Sequence, residues 1–134
     1  MTNEKKFEVH AEITVRLTQQ DVDDLMVSAL EGGICYWCDR VTVEGQYLGK
    51  YASEQISRGG TLKVHVTEPF DEQDTEWYEL DIEKFIQGFR LWLENSGDCY
   101  GAVSGDGKVD CGEIDAGCAD AIIQYALFGE VVYG

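Results

Sequence analysis

Four groups of residues in this chain are of types that do chemistry: a Cys-x2-Cys pair, a glycine–aspartate stretch, two histidines and a dense run of carboxylates. Cys35-Tyr36-Trp37-Cys38 supplies half of a zinc site, which needs four ligands converging in tetrahedral geometry. The other half would have to come from Cys111 and Cys118, seven residues apart, or from the isolated His10 and His65. Neither spacing is that of a zinc knuckle, so no metal and no cofactor is expected. A thioredoxin-type pair sits at a helix N-terminus after a strand. This pair follows a helical pattern and falls in a strand-like one, with Cys35 and Trp37 on one face and Tyr36 and Cys38 on the other; core packing is the expectation.

The stretch from Asp106 through Asp110 and Glu113 to Asp115 invites a calcium reading. An EF-hand loop needs ligands at positions one, three and five, glycine at six and glutamate at twelve. No register supplies that set, and glycine–aspartate turns ahead of a capped helix account for the residues. The histidines stand beside no serine or cysteine motif, and no glycine-rich phosphate loop is present. Arg58-Gly59-Gly60 occurs once, in an acidic chain, and reads as a helix end and turn. The expectation is therefore a protein without catalytic residues.

The carboxylates remain. Glu68, Asp71, Glu72, Asp74, Glu76, Glu79, Asp81 and Glu83 place eight acids in sixteen residues with no Lys or Arg among them. Asp21, Asp23 and Asp24 add three more on a predicted helix. The whole chain carries 26 acidic against 10 basic residues, a formal net charge of −16. Such a surface repels nucleic acid and anionic membrane and attracts basic protein surfaces. Clustered carboxylates also repel one another, at a cost to folding. If the acidic segments converge, they make a negative field suited to a basic nucleic-acid-binding groove.

The elements that would position these groups follow from periodicity. Phe7, Val9, Ala11, Ile13, Val15 and Leu17 alternate with polar residues, the pattern of a half-buried strand. Thr18 caps a helix with Asp21 in the capping-box position; Val22, Leu25, Met26 and Ala29 form its stripe, and Gly32-Gly33 ends it. Residues 34–45 read as a strand rich in aromatic and β-branched types. A short helix is expected over Ser53–Arg58, and a strand over Thr61–Thr67 with Leu62, Val64 and Val66 inward. Glu76–Leu80 is its hairpin partner across an acidic loop. Asp81 caps a second helix through Asn95, with Ile82, Phe85, Ile86, Phe89 and Leu93 at helical spacing. Residues 96–114 are glycine-rich and irregular. A third helix runs over Asp115–Phe128 on Ile122, Ile123, Ala126 and Leu127, and Val131-Val132-Tyr133 adds a short terminal strand.

Clustered strands with short links favour an α+β domain: a mostly antiparallel sheet of about four strands with two or three helices packed on it. Length fits one domain over residues 1–134, and 44% hydrophobic content argues for a real core. No apolar run is long enough to span a bilayer, and the N-terminus lacks the apolar segment of a signal peptide. Five cysteines at irregular spacing do not make a disulfide framework. A cytoplasmic protein with reduced thiols is expected.

Three stretches carry a resemblance: Glu31-Gly-Gly-Ile-Cys-Tyr-Trp-Cys38, Tyr51-Ala-Ser-Glu-Gln-Ile-Ser-Arg-Gly-Gly60 and Ile122-Ile-Gln-Tyr-Ala-Leu-Phe-Gly-Glu-Val-Val-Tyr-Gly134. The chain resembles, over most of its length, small acidic proteins encoded by phages and conjugative elements of gut bacteria. In setting and charge these are similar to anti-CRISPR and antirestriction inhibitors, several of which mimic nucleic acid. The resemblance brings no functional residues with it. The expectation is a non-enzymatic inhibitor that binds a basic nucleic-acid-handling protein of host defence and touches neither nucleic acid nor membrane. Two alternatives stand beside it. One is a small-ligand module with a pocket lined by Tyr36, Trp37, Tyr47 or Tyr51 and Arg58 at its rim. The other is a zinc-stabilised structural domain.

Overall fold

The structure, a computed structural model, describes residues 5–9, 11–96 and 101–134. Cys99 and His10 lie outside them. Thr18 opens helix α1 (Gln19–Ser28) with the expected reciprocal cap: its Oγ1 accepts from the Asp21 amide, and its own amide donates to Asp21 Oδ2. Val22, Leu25, Met26 and Ala29 are buried as the stripe requires. The helix then widens into a π-type turn at Ala29–Gly33. Gly33 belongs there because a Cβ would sit 2.6 Å from the carbonyl oxygen of Ala116. Any larger residue would push this turn off the third helix.

Strands β1 (Cys38–Glu44), β2 (Thr61–Val66) and β3 (Trp77–Leu80) form one antiparallel sheet in the order β1-β2-β3. Among the described residues the sheet has three strands, where about four were expected. Leu62, Val64, Val66 and Leu80 face inward and are buried, with Val41, Val43 and Tyr78 packed against them. Asp81 accepts from the Lys84 amide and starts α2 (Ile82–Asn95). Asp115 accepts from the Cys118 amide and starts α3 (Ala116–Phe128). The two helices cross at Gly88, where a Cβ would meet the Ile122 oxygen at 2.5 Å and the Ala126 nitrogen at 2.6 Å. Phe85, Phe89 and Trp92 bury one side of this crossing, Ile122 and Ile123 the other. The arrangement is α+β, and no helix among the described residues is long and apolar enough to cross a membrane.

Five expectations are corrected. The described residues of 7–17 join no ladder: their β-type pairing is an isolated bridge between Arg16 and Lys108. Phe7 and Val9 are each 87% exposed. Period two selects a pleated backbone without supplying a partner edge, and residues 11–17 lie along α2 instead. Residues 34–37 form a helical turn, in which the Trp37 and Cys38 amides both donate to the Ile34 carbonyl. That turn buries Trp37 and Cys38 together and leaves Cys35 and Tyr36 outside, against the strand-face assignment. The segment at 53–58 is a short 3-10 turn (Ala52–Glu54) followed by further turns. Val131–Tyr133 is no strand, because the buried Gln124 side chain takes the place of a partner: its Oε1 accepts from the Val132 and Tyr133 amides at 2.8 Å each. On α2, Ile86 points outward at 54% exposure, and Trp92 takes its share of the core.

Candidate functional site

The turn, β3 and the first turn of α2 carry the acidic run, and the fold divides its members by task. Asp71 accepts from the Thr75 amide at 2.7 Å and from its hydroxyl at 2.5 Å, which closes the β2–β3 turn. Those two bonds hold its carboxyl below the usual range. Asp81 is spent on the α2 cap. Glu68, Glu72, Asp74, Glu76, Glu79 and Glu83 are exposed. Asp74 is the one described non-glycine residue with positive φ, at 53°, a conformation Asp tolerates in a turn. Local positive charge is small. Lys84 Nζ reaches back to the Glu79 carbonyl at 2.8 Å, and Lys63 stands opposite Glu79 in the ladder.

The α1 acids behave differently. Asp21 closes the capping box by accepting from the Thr18 amide, and Asp23 is buried, accepting from Ser57 Oγ at 2.5 Å with Arg58 3.6 Å away. Asp24 is exposed and accepts from Gln20. α1 packs on the Ala29–Gly33 turn, the 52–54 turn and α3, whereas the 68–83 acids belong to the sheet's β3 side. Asp21 and Asp23 are thus committed to holding the fold.

Beside the acidic run, the sheet face away from the core brings together residues that sequence reasoning did not group. Register puts Arg40, His65 and Trp77 in one row and Thr42, Lys63 and Glu79 in the next. A register break between Cys38 and Arg40 frees Asp39 to turn onto the histidine. His65 Nδ1 lies 2.5 Å from Asp39 Oδ1, and Nε2 lies 3.4 Å from Glu76 Oε1. Carboxylates only accept, so an imidazole between two of them is best satisfied with both nitrogens protonated. Accordingly Asp39 raises the His65 pKa, with Glu76 adding to it, and His65 lowers that of Asp39. The Trp77 ring stacks obliquely on His65 at 4.7 Å and receives the Arg40 guanidinium at 5.2 Å. Trp77 remains 40% exposed. Alternation in 61–67 already points His65 away from Leu62 and Val64; Asp39 and Arg40 could not be placed, because the bulge has no clear sequence mark.

The aromatic residues of the ligand-pocket alternative do not share one wall. Trp37 is buried, stacked on Tyr133 at 5.4 Å and edge-on to Phe128, and its Nε1 donates to Asp120 Oδ1 at 2.7 Å. Tyr36 donates to the other Asp120 oxygen at 2.6 Å, and burial followed by that carboxylate pushes its pKa up to about 12. Gln124 Nε2 completes the network by donating to Asp120 Oδ1. Tyr47 and Tyr51 are exposed, and Arg58 is tied to Asp23 and Glu54. Asp120 carries no mark legible beforehand, since an acid within an apolar helix stripe resembles a solvent-face residue.

Three of the described thiols, Cys38, Cys111 and Cys118, are equally committed. Cys38 Sγ donates to the Arg40 carbonyl, and burial raises its pKa. Burial pushes Cys111 up to about 12 and Cys118 up to about 11. Protonated thiols are poor nucleophiles and poor metal ligands. Among the described residues no three His, Cys, Asp or Glu side chains are grouped to hold a metal ion. The acids of the calcium reading serve the backbone: Asp106 accepts from Ser104 and Lys108, Asp110 from Gly112, and Asp115 caps α3. Comparison with known proteins gives no matching family model and no match among curated proteins or solved structures.

Proposed function

We propose that this protein is a non-enzymatic inhibitor. It binds a basic, nucleic-acid-binding protein of a host defence system, of the anti-CRISPR or antirestriction kind, in the cytoplasm. The binding face comprises the β2–β3 turn, β3 and the first turn of α2. One observation carries the reading: six carboxylates of one short stretch, Glu68, Glu72, Asp74, Glu76, Glu79 and Glu83, stay exposed after the fold has used Asp71 and Asp81. Like charges held this close cost the free protein stability, and a cationic groove would turn that cost into attraction. Trp77, at the edge of the same face and still partly exposed, supplies the aromatic anchor such interfaces favour.

The test is capture of partners from a gut-bacterial lysate at low and high salt, with mass spectrometry of what is retained. The reading expects nucleic-acid-binding proteins that elute as salt rises, since screening weakens attraction between charged surfaces. Retention of the same proteins by a chain lacking the exposed carboxylates would refute it.

A further inference from the structure

We propose that Cys35 and Cys38 form a dithiol–disulfide exchange site, which takes a low-molecular-weight disulfide as oxidant and closes a reversible bond between its own two sulfurs. Three observations carry this. First, the segment is a helical turn: the Cys35 amide donates to the Gly32 carbonyl at 3.4 Å, and the Trp37 and Cys38 amides donate to that of Ile34 at 3.1 and 2.9 Å. Residues three apart on such a turn have Cα atoms about 5 Å apart, inside the roughly 4.4–6.8 Å that a disulfide spans. In a strand the same pair would stand about 10 Å apart on opposite faces, too far to bridge. Second, both cysteines line one small cavity of about 270 Å³, walled by Leu30, Ile34, Val41 and Ala52. Third, they differ in access, Cys35 being exposed and Cys38 only 6% exposed. Core packing accounts for the buried thiol and leaves the surface one unexplained; an accessible thiol beside a shielded one is the arrangement of an attacking and a resolving cysteine.

Access sets the order of events. The Cys35 thiolate attacks one sulfur of the exogenous disulfide, forms a mixed disulfide and releases one thiolate. Cys38 then loses its proton and attacks the Cys35 sulfur, which closes the Cys35–Cys38 bond and releases the second thiolate. Two protein thiols are oxidised, one disulfide is reduced to two thiols, and the two protein protons pass through solvent to the released groups. The resting thiols are held only by weak sulfur bonds, Cys35 Sγ to the Leu30 carbonyl and Cys38 Sγ to the Arg40 carbonyl, both at 3.4 Å, so turning them toward each other costs little. Burial raises the Cys38 pKa, which makes closure the slower step and one that quickens as pH rises. In a reducing compartment the pair rests as thiols, and a disulfide formed there is transient and redox-sensing. The site is independent of the acidic face and of any partner that face binds.

The experiment equilibrates the full reduced chain with glutathione disulfide and glutathione over a range of ratios, quenches with acid, alkylates the remaining thiols in denaturant and maps the peptides by mass spectrometry. Trypsin cuts after Arg16 and Arg40, and peptide 17–40 holds Cys35 and Cys38 and no other cysteine. In the oxidised chain that peptide should escape alkylation and be two hydrogens lighter, and excess glutathione should restore it. The equilibrium constant for closure should be at least several-fold larger in the folded chain than in the urea-unfolded one, because the turn holds the pair at bridging distance. Cys38→Ala should stop with one glutathione on Cys35, and Cys35→Ser should leave Cys38 unmodified in the folded chain. A folded parent in which both thiols remain alkylatable, closure no more favourable folded than in urea, or a bond from either cysteine to Cys99, Cys111 or Cys118 instead overturns the proposal.

Discussion

Replacing Gly88 by Ala sets two effects against each other. Alanine is the better helix former, by about 0.8–1.0 kcal/mol in a helix interior. Against that, the added methyl lands 2.5 Å from the Ile122 oxygen, 2.6 Å from the Ala126 nitrogen and 2.7 Å from the Ala126 Cβ. Ordinary contacts of this type begin near 3.4 Å, so α2 and α3 must separate by roughly 1 Å, and two of the three obstructing atoms are backbone that no rotamer change can move. Separation loosens Phe85, Phe89 and Trp92, which seal this crossing. Overpacking of a well-packed core costs about 1–3 kcal/mol, occasionally more. A backbone obstruction belongs at the upper end, so the net loss after the propensity gain is about 2 kcal/mol. Urea denaturation should show a lower midpoint with an unchanged slope. An equal or higher midpoint would mean that the crossing yields freely and that propensity dominates, which refutes the close-contact argument.

Two further predictions concern other parts of the molecule. Asp120→Ala leaves the buried Trp37 Nε1 without its acceptor, while Gln124 Nε2 keeps the Tyr133 carbonyl and the Tyr36 hydroxyl, and should cost about 2 kcal/mol; a difference titration should also show the Tyr36 pKa falling part of the way from about 12, its burial remaining. At His65 the pKa is raised in the folded state, so its contribution is complete below about pH 6.5 and disappears as pH rises through the folded value. Asp39, lowered by the same contact, sets the acid limit: the ion pair is lost as pH falls below the ordinary aspartate range. NMR titration of the parent, with the stability of parent and His65→Gln compared from about pH 2 to 9, checks both limits; a His65 pKa at or below 6.5 contradicts the assignment.

Local signals were the legible ones. Thr18, Asp81 and Asp115 each announced a helix start that the backbone confirms, because a cap is decided by residues three positions apart. The β2–β3 hairpin was legible for the same reason. What failed depended on distant partners. The 7–17 pattern is strand-like, yet no strand edge within the described fold meets it. The terminal Val-Val-Tyr found Gln124 instead of a strand, and a side-chain amide leaves no periodic trace. At the acidic run, sequence located the charges and marked Asp81 as a cap, but could not sort Asp71, which closes a turn, from the exposed acids beside it. The row of Arg40, His65 and Trp77 required the register of three strands before it could be seen at all.

That sorting defines the most direct test of the acidic-face account. Glu72→Gln, Asp74→Asn, Glu79→Gln and Glu83→Gln together remove four exposed charges while leaving the Asp71 turn, the Asp81 cap and the Glu76–His65 contact intact. The melting temperature should hold or rise, because self-repulsion falls. Lysate capture by parent and variant, side by side at about 150 mM salt, is the measurement. The account predicts that nucleic-acid-binding proteins retained by the parent are lost or strongly depleted on the folded variant. Equal retention of the same proteins by both chains would contradict it, and the acids would then be a solvated surface only.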